Sequence, residues 1–268
     1  MMRIIAFHSY KGGTGKTHLS ANLATVLARK GHKTALLDLD FRGPNLQTLC
    51  GVDSEVTIND LLFDPDLKGR DLLVSFEDQY KIPLFAAFAS TDFRKMSDIV
   101  RADKKQRQRS LKRILRLRDE LSESGFDYTI IDTSPGVQME SIDGLVISDV
   151  TCLVLKADDF DISGTKSMVQ QLYSLLDSKN YVVLNRVVAE TCPPEHGVWS
   201  DKDMELVSTF EKTITEEMRM DVLTSIPCFC EVAREGSRSI FSLQHPDHPF
   251  SKNIEVLATR ILDGFSAE

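Results

Sequence analysis

Apolar residues fall into two patterns that alternate along the chain. Short runs carry no polar interruption; longer stretches repeat an apolar residue every three or four positions. The short runs predict strands at Arg3–His8, Thr34–Leu39, Leu84–Phe88, Tyr128–Asp132, Thr151–Leu155, Tyr181–Leu184 and Val222–Ile226. Most are β-branched or leucine-rich without alternation, the pattern of parallel strands covered on both faces. The longer stretches predict helices. Leu19, Leu23, Val26 and Leu27 share one helical face before a stop at Gly31, and Leu111, Ile114, Leu115 and Leu121 share another before Gly125. Val207, Phe210, Ile214 and Met218 mark a third, and Ile254, Leu257, Ile261 and Leu262 a fourth. Strand and helix alternate with no internal repeat and no Gly/Ser/Pro linker. The expectation is therefore one α/β domain over residues 1–268, a mostly parallel sheet flanked by helices on both faces.

Composition narrows this picture only modestly. With 268 residues, 42% hydrophobic and 27% charged, the chain can bury a real core and is neither collagen-like nor low-complexity. No stretch approaches the roughly 20 apolar residues of a membrane helix. The opening residues turn polar too soon for a signal peptide. The five cysteines, at 50, 152, 192, 228 and 230, are scattered and odd in number, which suits a reducing compartment. A cytoplasmic location is expected. Charge changes the picture more. Net charge is −8, yet Arg94–Arg118 holds 11 Lys/Arg against Asp98 and Asp103, a local +9 on an otherwise acidic chain.

The strongest chemical signal follows the first strand: His8-Ser-Tyr-Lys-Gly-Gly-Thr-Gly-Lys-Thr17, opening the first helix. Gly12, Gly13 and Gly15 allow successive backbone N–H groups to turn inward as an anion nest, and the helix N-terminus adds its positive dipole end. Lys16 is placed for β- and γ-phosphates and the Thr17 hydroxyl for Mg²⁺. Asp132 closes an apolar strand where a carboxylate could hold Mg²⁺ through water, and Asn185 offers the donor and acceptor that an adenine edge needs. Asp38 and Asp40 lie two apart on one strand, so both point to one edge.

The run Lys11-Gly-Gly-x-Gly-Lys-Thr17, with Tyr10 where the usual motif has glycine, resembles the deviant Walker A motif of the ParA/MinD ATPase family. The resemblance continues in family order. Ala35–Asp40 looks like its second strand and switch I, and Tyr128–Gly136 like its Walker B strand and switch II. Val183–Arg186 looks like the stretch bearing the adenine-binding Asn, and Ser225–Pro227 like the segment that closes over the base. It implies a P-loop NTPase fold, with ATP and Mg²⁺ as ligands. The ATP contacts it implies are Lys11, Gly12, Gly13, Thr14, Gly15, Lys16, Thr17, His18, Asn185, Arg186 and Pro227. Mg²⁺ would sit at Thr17, Asp40 and Asp132, and catalysis would fall to Lys11, Lys16 and Asp40. Lys11 would reach across an ATP-dependent homodimer to the partner's γ-phosphate, like an arginine finger. Asp40 would orient water. His18 stands where relatives carry Thr, and Thr14 where Val is common. Slow hydrolysis, stimulated by a further protein, would reset a switch used in DNA partition or in positioning cell components.

Two other functions stay in view. A nucleotide-sensing adaptor would dimerise with little hydrolysis. A metallocluster-assembly ATPase would use Cys228 and Cys230, with Cys192 and His196 as further ligands, although the spacing matches no common zinc arrangement. His245 and His248 read as a surface turn. The C-terminal stretch lacks the short basic amphipathic helix of membrane-docking relatives, so no membrane partner is expected by that route. On the Gln106–Glu123 helix, Arg109, Arg113 and Arg116 fall on one face, opposite the apolar stripe. With Lys104 and Lys105 they form a candidate surface for non-specific DNA; a solvated helix face is the plainer alternative.

Overall fold

The computed structural model describes residues 1–190 and 199–266. Strands β1 (Arg3–His8), β2 (Thr34–Leu39), β3 (Val74–Ser75), β4 (Leu84–Ala87), β5 (Tyr128–Thr133), β6 (Val150–Leu155), β7 (Lys179–Val187) and β8 (Asp221–Pro227) form one sheet in the order β3-β4-β2-β5-β1-β6-β7-β8. All neighbours are parallel except β3, which pairs antiparallel with β4 at the edge. The helices follow in chain order. On the N-terminal side they are α1 (Lys16–Arg29), α2 (Leu46–Cys50), α3 (Ile58–Phe63), α4 (Glu77–Tyr80), α5 (Phe93–Val100) and α6 (Lys104–Glu123). Beyond β5 lie α7 (Met139–Val146), α8 (Asp159–Leu172), α9 (Asp201–Met218), α10 (Cys230–Arg234), α11 (Phe241–Gln244) and α12 (Pro249–Ser266).

Successive side chains of a strand point to opposite faces, and both faces here are covered, so most positions of a central strand are apolar. In β1, Ile4 and Ala6 join the core under α3, α6, α8 and α9, while Ile5 and Phe7 join the core under α1 and α12. The same division in β2 sends Leu37 and Leu39 one way and Leu36 the other. This is the expected α/β architecture. No described helix is long and apolar enough to cross a membrane.

The structure amends the reading of α6. Its buried positions are Ile114, Leu117 and Leu121, with Leu111 and Leu115 only half-buried. Arg113 also departs from the expected solvent face. Its guanidinium turns inward and donates to the carbonyls of Leu61 (2.9 Å), Asp64 (2.9 Å), Pro65 (3.2 Å) and Leu67 (2.6 Å), which fastens the segment after α3 to α6. A planar fork with five N–H donors suits such a cluster of helix-end carbonyls, which have no partner in their own helix. Arg116 is paired as well, donating to Glu120 at 2.9 Å. Arg113→Ala should therefore lower unfolding stability by about 2 kcal/mol, the scale of charge-assisted hydrogen bonds left unmade. Arg109→Ala, on an exposed residue, should leave the midpoint unchanged. Chemical denaturation of the two variants checks this, and equal effects would refute the fastening role of Arg113.

Candidate nucleotide site

The loop between β1 and α1 lies at the carboxyl end of the sheet, beside the place where strand order reverses between β1, β5 and β6. In open α/β sheets ligands bind at such a point. Its backbone demands glycine. Gly13 has φ 76° and Gly15, the residue capping α1, has φ 96°. A Cβ on Gly15 would also collide with the Asn185 amide nitrogen. The loop and its surroundings line a cavity of about 630 Å³ that includes Gly12, Lys16, Thr17, Asp40 and Arg42. A second cavity, about 230 Å³, continues past Gly15 and His18 to Asn185, Pro227 and Phe229.

Asn185 reaches the loop because β7 is irregular. The register between β7 and β8 shifts between Leu184 and Val187, and Arg186 takes a left-handed φ of 56°. A bulge re-aims side chains in this way. The Asn185 amide donates to the Thr14 carbonyl at 2.8 Å, and Arg186 donates to the Gly13 carbonyl at 3.2 Å. One amide hydrogen and the carbonyl oxygen of Asn185 remain for a base edge. His18 bridges the two cavities, its Nε2 lying 2.9 Å from the Ser237 hydroxyl oxygen. Burial, with the nearby Arg186 charge, pushes its pKa down. Phe229 and Ser237 carried no signal in the sequence, since a lone aromatic or serine after a strand has no period to betray it.

The acidic residues converge from two adjacent strands. Asp38 and Asp132 are register partners in β2 and β5, so their side chains emerge side by side, both buried. Asp38 accepts the N–H groups of Asp40 (2.9 Å) and Leu46 (3.4 Å), and fixes the start of the loop after β2. Asp40, less buried, accepts the Ser134 hydroxyl at 2.8 Å and the Gly43 N–H at 3.0 Å. Burial raises the Asp132 pKa to about 7 against the lowering pull of Lys16 and the Thr17 hydroxyl, and one of its oxygens, Oδ1, has no hydrogen-bond partner. A buried carboxylate with an orphaned oxygen beside a threonine hydroxyl fits an oxygen-liganded dication such as Mg²⁺. Burial raises the Asp38 pKa as well, with the Asp132 charge as the second cause.

Lys11 lies exposed on the rim, its ammonium donating to the Phe160 carbonyl at 3.4 Å and standing 5.9 Å from the Tyr10 ring. Around it Tyr10, Val137 and Phe160 are exposed apolar side chains. The cysteine reading finds little support. Cys228 lines the smaller cavity, Cys192 and His196 lie outside the described residues, and among the described residues no group of three or more His, Cys, Asp or Glu could hold a metal. His245 pairs with Glu235 at 2.5 Å, and His248 accepts the Phe250 N–H at 3.1 Å, so both are packing residues. Of the basic candidates, Lys104, Lys105 and Arg109 are exposed near the start of α6; Arg113 is not available, for the reason given above.

A carboxyl whose pKa is raised in the folded state binds its proton more tightly folded than unfolded. The resulting stability cost is absent below the ordinary carboxylate pKa of about 4 and grows as pH rises above it. Asp38→Asn should thus raise the thermal midpoint of the nucleotide-free protein at pH 8 and lose that advantage towards pH 4. An equal gain at both pH values would show that burial of the charge is not its source.

Comparison with known proteins agrees with this geometry. A family model described as an AAA domain matches residues 2–184. The iron–sulfur cluster carrier protein of Saccharolobus solfataricus is 26% identical over 95% of this chain and 81% of its own length. The sporulation initiation inhibitor protein Soj of Bacillus subtilis is 29% identical over 63% of this chain and 64% of its own. The septum site-determining protein MinD of Pyrococcus horikoshii, solved with Mg-ADP, superposes with a TM-score of 0.69 at 23% identity, covering 97% of this chain and 96% of that one. With a glycine loop cradled by Asn185, two register-paired carboxylates behind it and a rim lysine at position 11, the chain belongs to the ParA/MinD family of P-loop ATPases.

Proposed function

We propose that the protein is an ATP-driven switch of a single domain: it binds Mg-ATP, pairs with a second copy and returns to the monomer by slow hydrolysis. The observation that carries this reading is the link from Asp40 to Ser134 at 2.8 Å, which ties the two loops flanking the larger cavity opposite Lys16 and Thr17. In this reading the polyphosphate lies on the backbone N–H groups of Gly12 to His18, with Lys16 countering the β/γ charge. Adenine enters the smaller cavity, where Asn185 reads its edge and Pro227 packs its face. Thr17 and Asp132, with Asp40 in the outer shell, would hold Mg²⁺, which when bound neutralises phosphate charge. Asp40 orients the attacking water. Lys11 acts in trans, on charge developing at the partner's γ-phosphate oxygens. The exposed apolar rim of Tyr10, Val137 and Phe160 around Lys11 supports a second copy as the occupant of this face.

The cargo reading is DNA, held through Lys104, Lys105 and Arg109 in the duplicated patch of the dimer, with a further protein stimulating hydrolysis. A second reading, carriage of an iron–sulfur cluster, is favoured by the name of the Saccharolobus relative; Cys228 and Cys230 of two copies would then ligate the cargo. Iron and sulfide analysis of anaerobically purified protein tests that alternative.

Lys16→Ala should abolish nucleotide binding. Asp40→Ala should bind ATP, cease hydrolysis and accumulate as dimer. Lys11→Ala should bind ATP and remain monomeric. Phosphate release and light scattering with ATP read all three, and a Lys11→Ala protein that dimerises like the parent would refute the action in trans.

DNA affinity should rise with ATP and fall with salt by roughly 0.9 log units per phosphate contact per log of salt. Lys104, Lys105 and Arg109 all changed to Glu should remove it. Fluorescence anisotropy with a random duplex measures this, and binding indifferent to ATP or to the substitutions would favour a protein partner on α6.

A further inference from the structure

His8 is the last residue of β1 and stands immediately before the phosphate loop, completely buried. Both of its ring nitrogens are engaged, and by different parts of the chain. Nε2 lies 2.8 Å from the Gly136 carbonyl, in the loop between β5 and α7, and Nδ1 lies 2.6 Å from the hydroxyl of Tyr173, just beyond the end of α8. A carbonyl only accepts, so Nε2 carries the proton, and Nδ1 then accepts from Tyr173. The ring pattern is thus fixed by its partners. Burial together with the Lys16 charge lowers its pKa to about 4, so the imidazole stays neutral at ordinary pH.

Gly136 is a sensitive place to hold. Its N–H donates back to the Ser9 carbonyl at 2.8 Å, and its φ of 79° suits glycine. The segment Asp132–Gly136 is held at several points: Thr133 on the Phe7 carbonyl, Ser134 on Asp40, the Ser141 hydroxyl on the Ser134 carbonyl, the Gly136 N–H on Ser9, and the Gly136 carbonyl on His8. The Ser134 hydroxyl goes to the residue proposed to orient water. The bond from Gly136 to His8 continues through the ring to Tyr173.

We propose that His8 is a positioning residue for hydrolysis: its fixed neutral ring joins Tyr173, at the end of α8, to the Gly136 carbonyl, and so holds the loop that carries Ser134 against Asp40. The proposal rests on the hydrolytic reading given above. His8 lines neither of the two cavities described above. It acts through the backbone of the loop, so its loss should alter turnover and leave nucleotide affinity alone.

Three variants separate the parts of this link. His8→Ala removes both bonds. His8→Gln places an amide N–H near the position of Nε2, which keeps the bond to Gly136 and leaves Tyr173 without its acceptor. Tyr173→Phe keeps the ring volume and removes the hydroxyl. Amide hydrogen exchange of residues 133–138 in the nucleotide-free protein should speed up roughly 3- to 10-fold in His8→Ala, the factor that one neutral hydrogen bond corresponds to. It should return close to the parent rate in His8→Gln. The hydrolysis rate at saturating ATP should fall by roughly tenfold to a hundredfold in His8→Ala, the scale of a misplaced catalytic group. It should take intermediate values in His8→Gln and in Tyr173→Phe, since each keeps the bond to Gly136 and loses the one to the Tyr173 hydroxyl, and the ATP dissociation constant should be unchanged throughout. If His8→Ala does not fold, His8→Gln and Tyr173→Phe still decide: both must exchange within the parent's range at 133–138 or slightly faster, and both must turn over more slowly than the parent. Parent-like exchange in His8→Ala, parent-like turnover in both His8→Ala and Tyr173→Phe, or a turnover loss matched by lost ATP affinity would each overturn the proposal. The parent's own rate separates this from failure of the hydrolytic reading: a parent that binds ATP without hydrolysing it overturns that reading first, and the positioning role with it.

Discussion

Two carboxylates and one ammonium share the buried carboxyl end of the central strands, and the surrounding structure is arranged around that unbalanced charge. Asp38, Asp132 and Lys16 are all almost wholly removed from solvent. Each ion withdrawn from water costs several kcal/mol unless it is matched, and a single lysine cannot match two acids. Burial raises both carboxyl pKa values, which favours the protonated form over two unmatched charges. The orphaned oxygen of Asp132 is the part that no protein group satisfies. In the proposed reading, the dication that accompanies a polyphosphate would supply the positive charge that the cluster lacks.

That constraint explains where the fold accepts local cost. Gly13 and Gly15 take left-handed backbone so that the loop can bring N–H groups to bear above the cluster, and Arg186 does so without being glycine. The bulge in β7 sacrifices ladder pairing beside Leu184 to place Asn185 on the loop. Asp38 spends its acceptors on the N–H groups of Asp40 and Leu46, and the loop bearing Asp40 is held from within the sheet.

Seven of the strands were legible because burial on both faces favours largely apolar runs. β3 was not: Val74–Ser75 is a two-residue edge strand, too short to carry a period. β7 runs longer than its apolar centre because Lys179 and Asn180 pair with β6 at the sheet's end, where burial is relaxed. Within the site, glycines and charged residues announced themselves by type and spacing, as did Asp132 at a strand end. The wall of the smaller cavity did not, because Phe229 and Phe250 are aromatic residues that could as well belong to any core. His8 escaped for a different reason. In the sequence it is one more residue of an apolar strand, and its importance depends on Gly136 and Tyr173, far away along the chain.

Arg113 shows the limit of helical spacing as an argument about surfaces. A wheel places its Cα near that of Arg109, yet an arginine arm is long enough to leave the face its backbone assigns. What decides its direction is the set of unpartnered carbonyls at the end of α3, and these lie on α6's flank. Lys11 illustrates the opposite case. Its own bond to the Phe160 carbonyl is long, and the neighbouring Tyr10 does more to set its place. The Tyr10 ring packs where α8 carries Gly164, a position at which any Cβ would meet the ring. With Tyr10 seated against α8 and Gly12 beginning the inward turn of the loop, the lysine between them is left on the rim, beside Phe160. A lysine placed there has little to act on within its own subunit, because the inward position of the loop already belongs to Lys16. Its reach is outward, over an apolar rim, and that geometry favours a second copy of the chain more than a solvated surface.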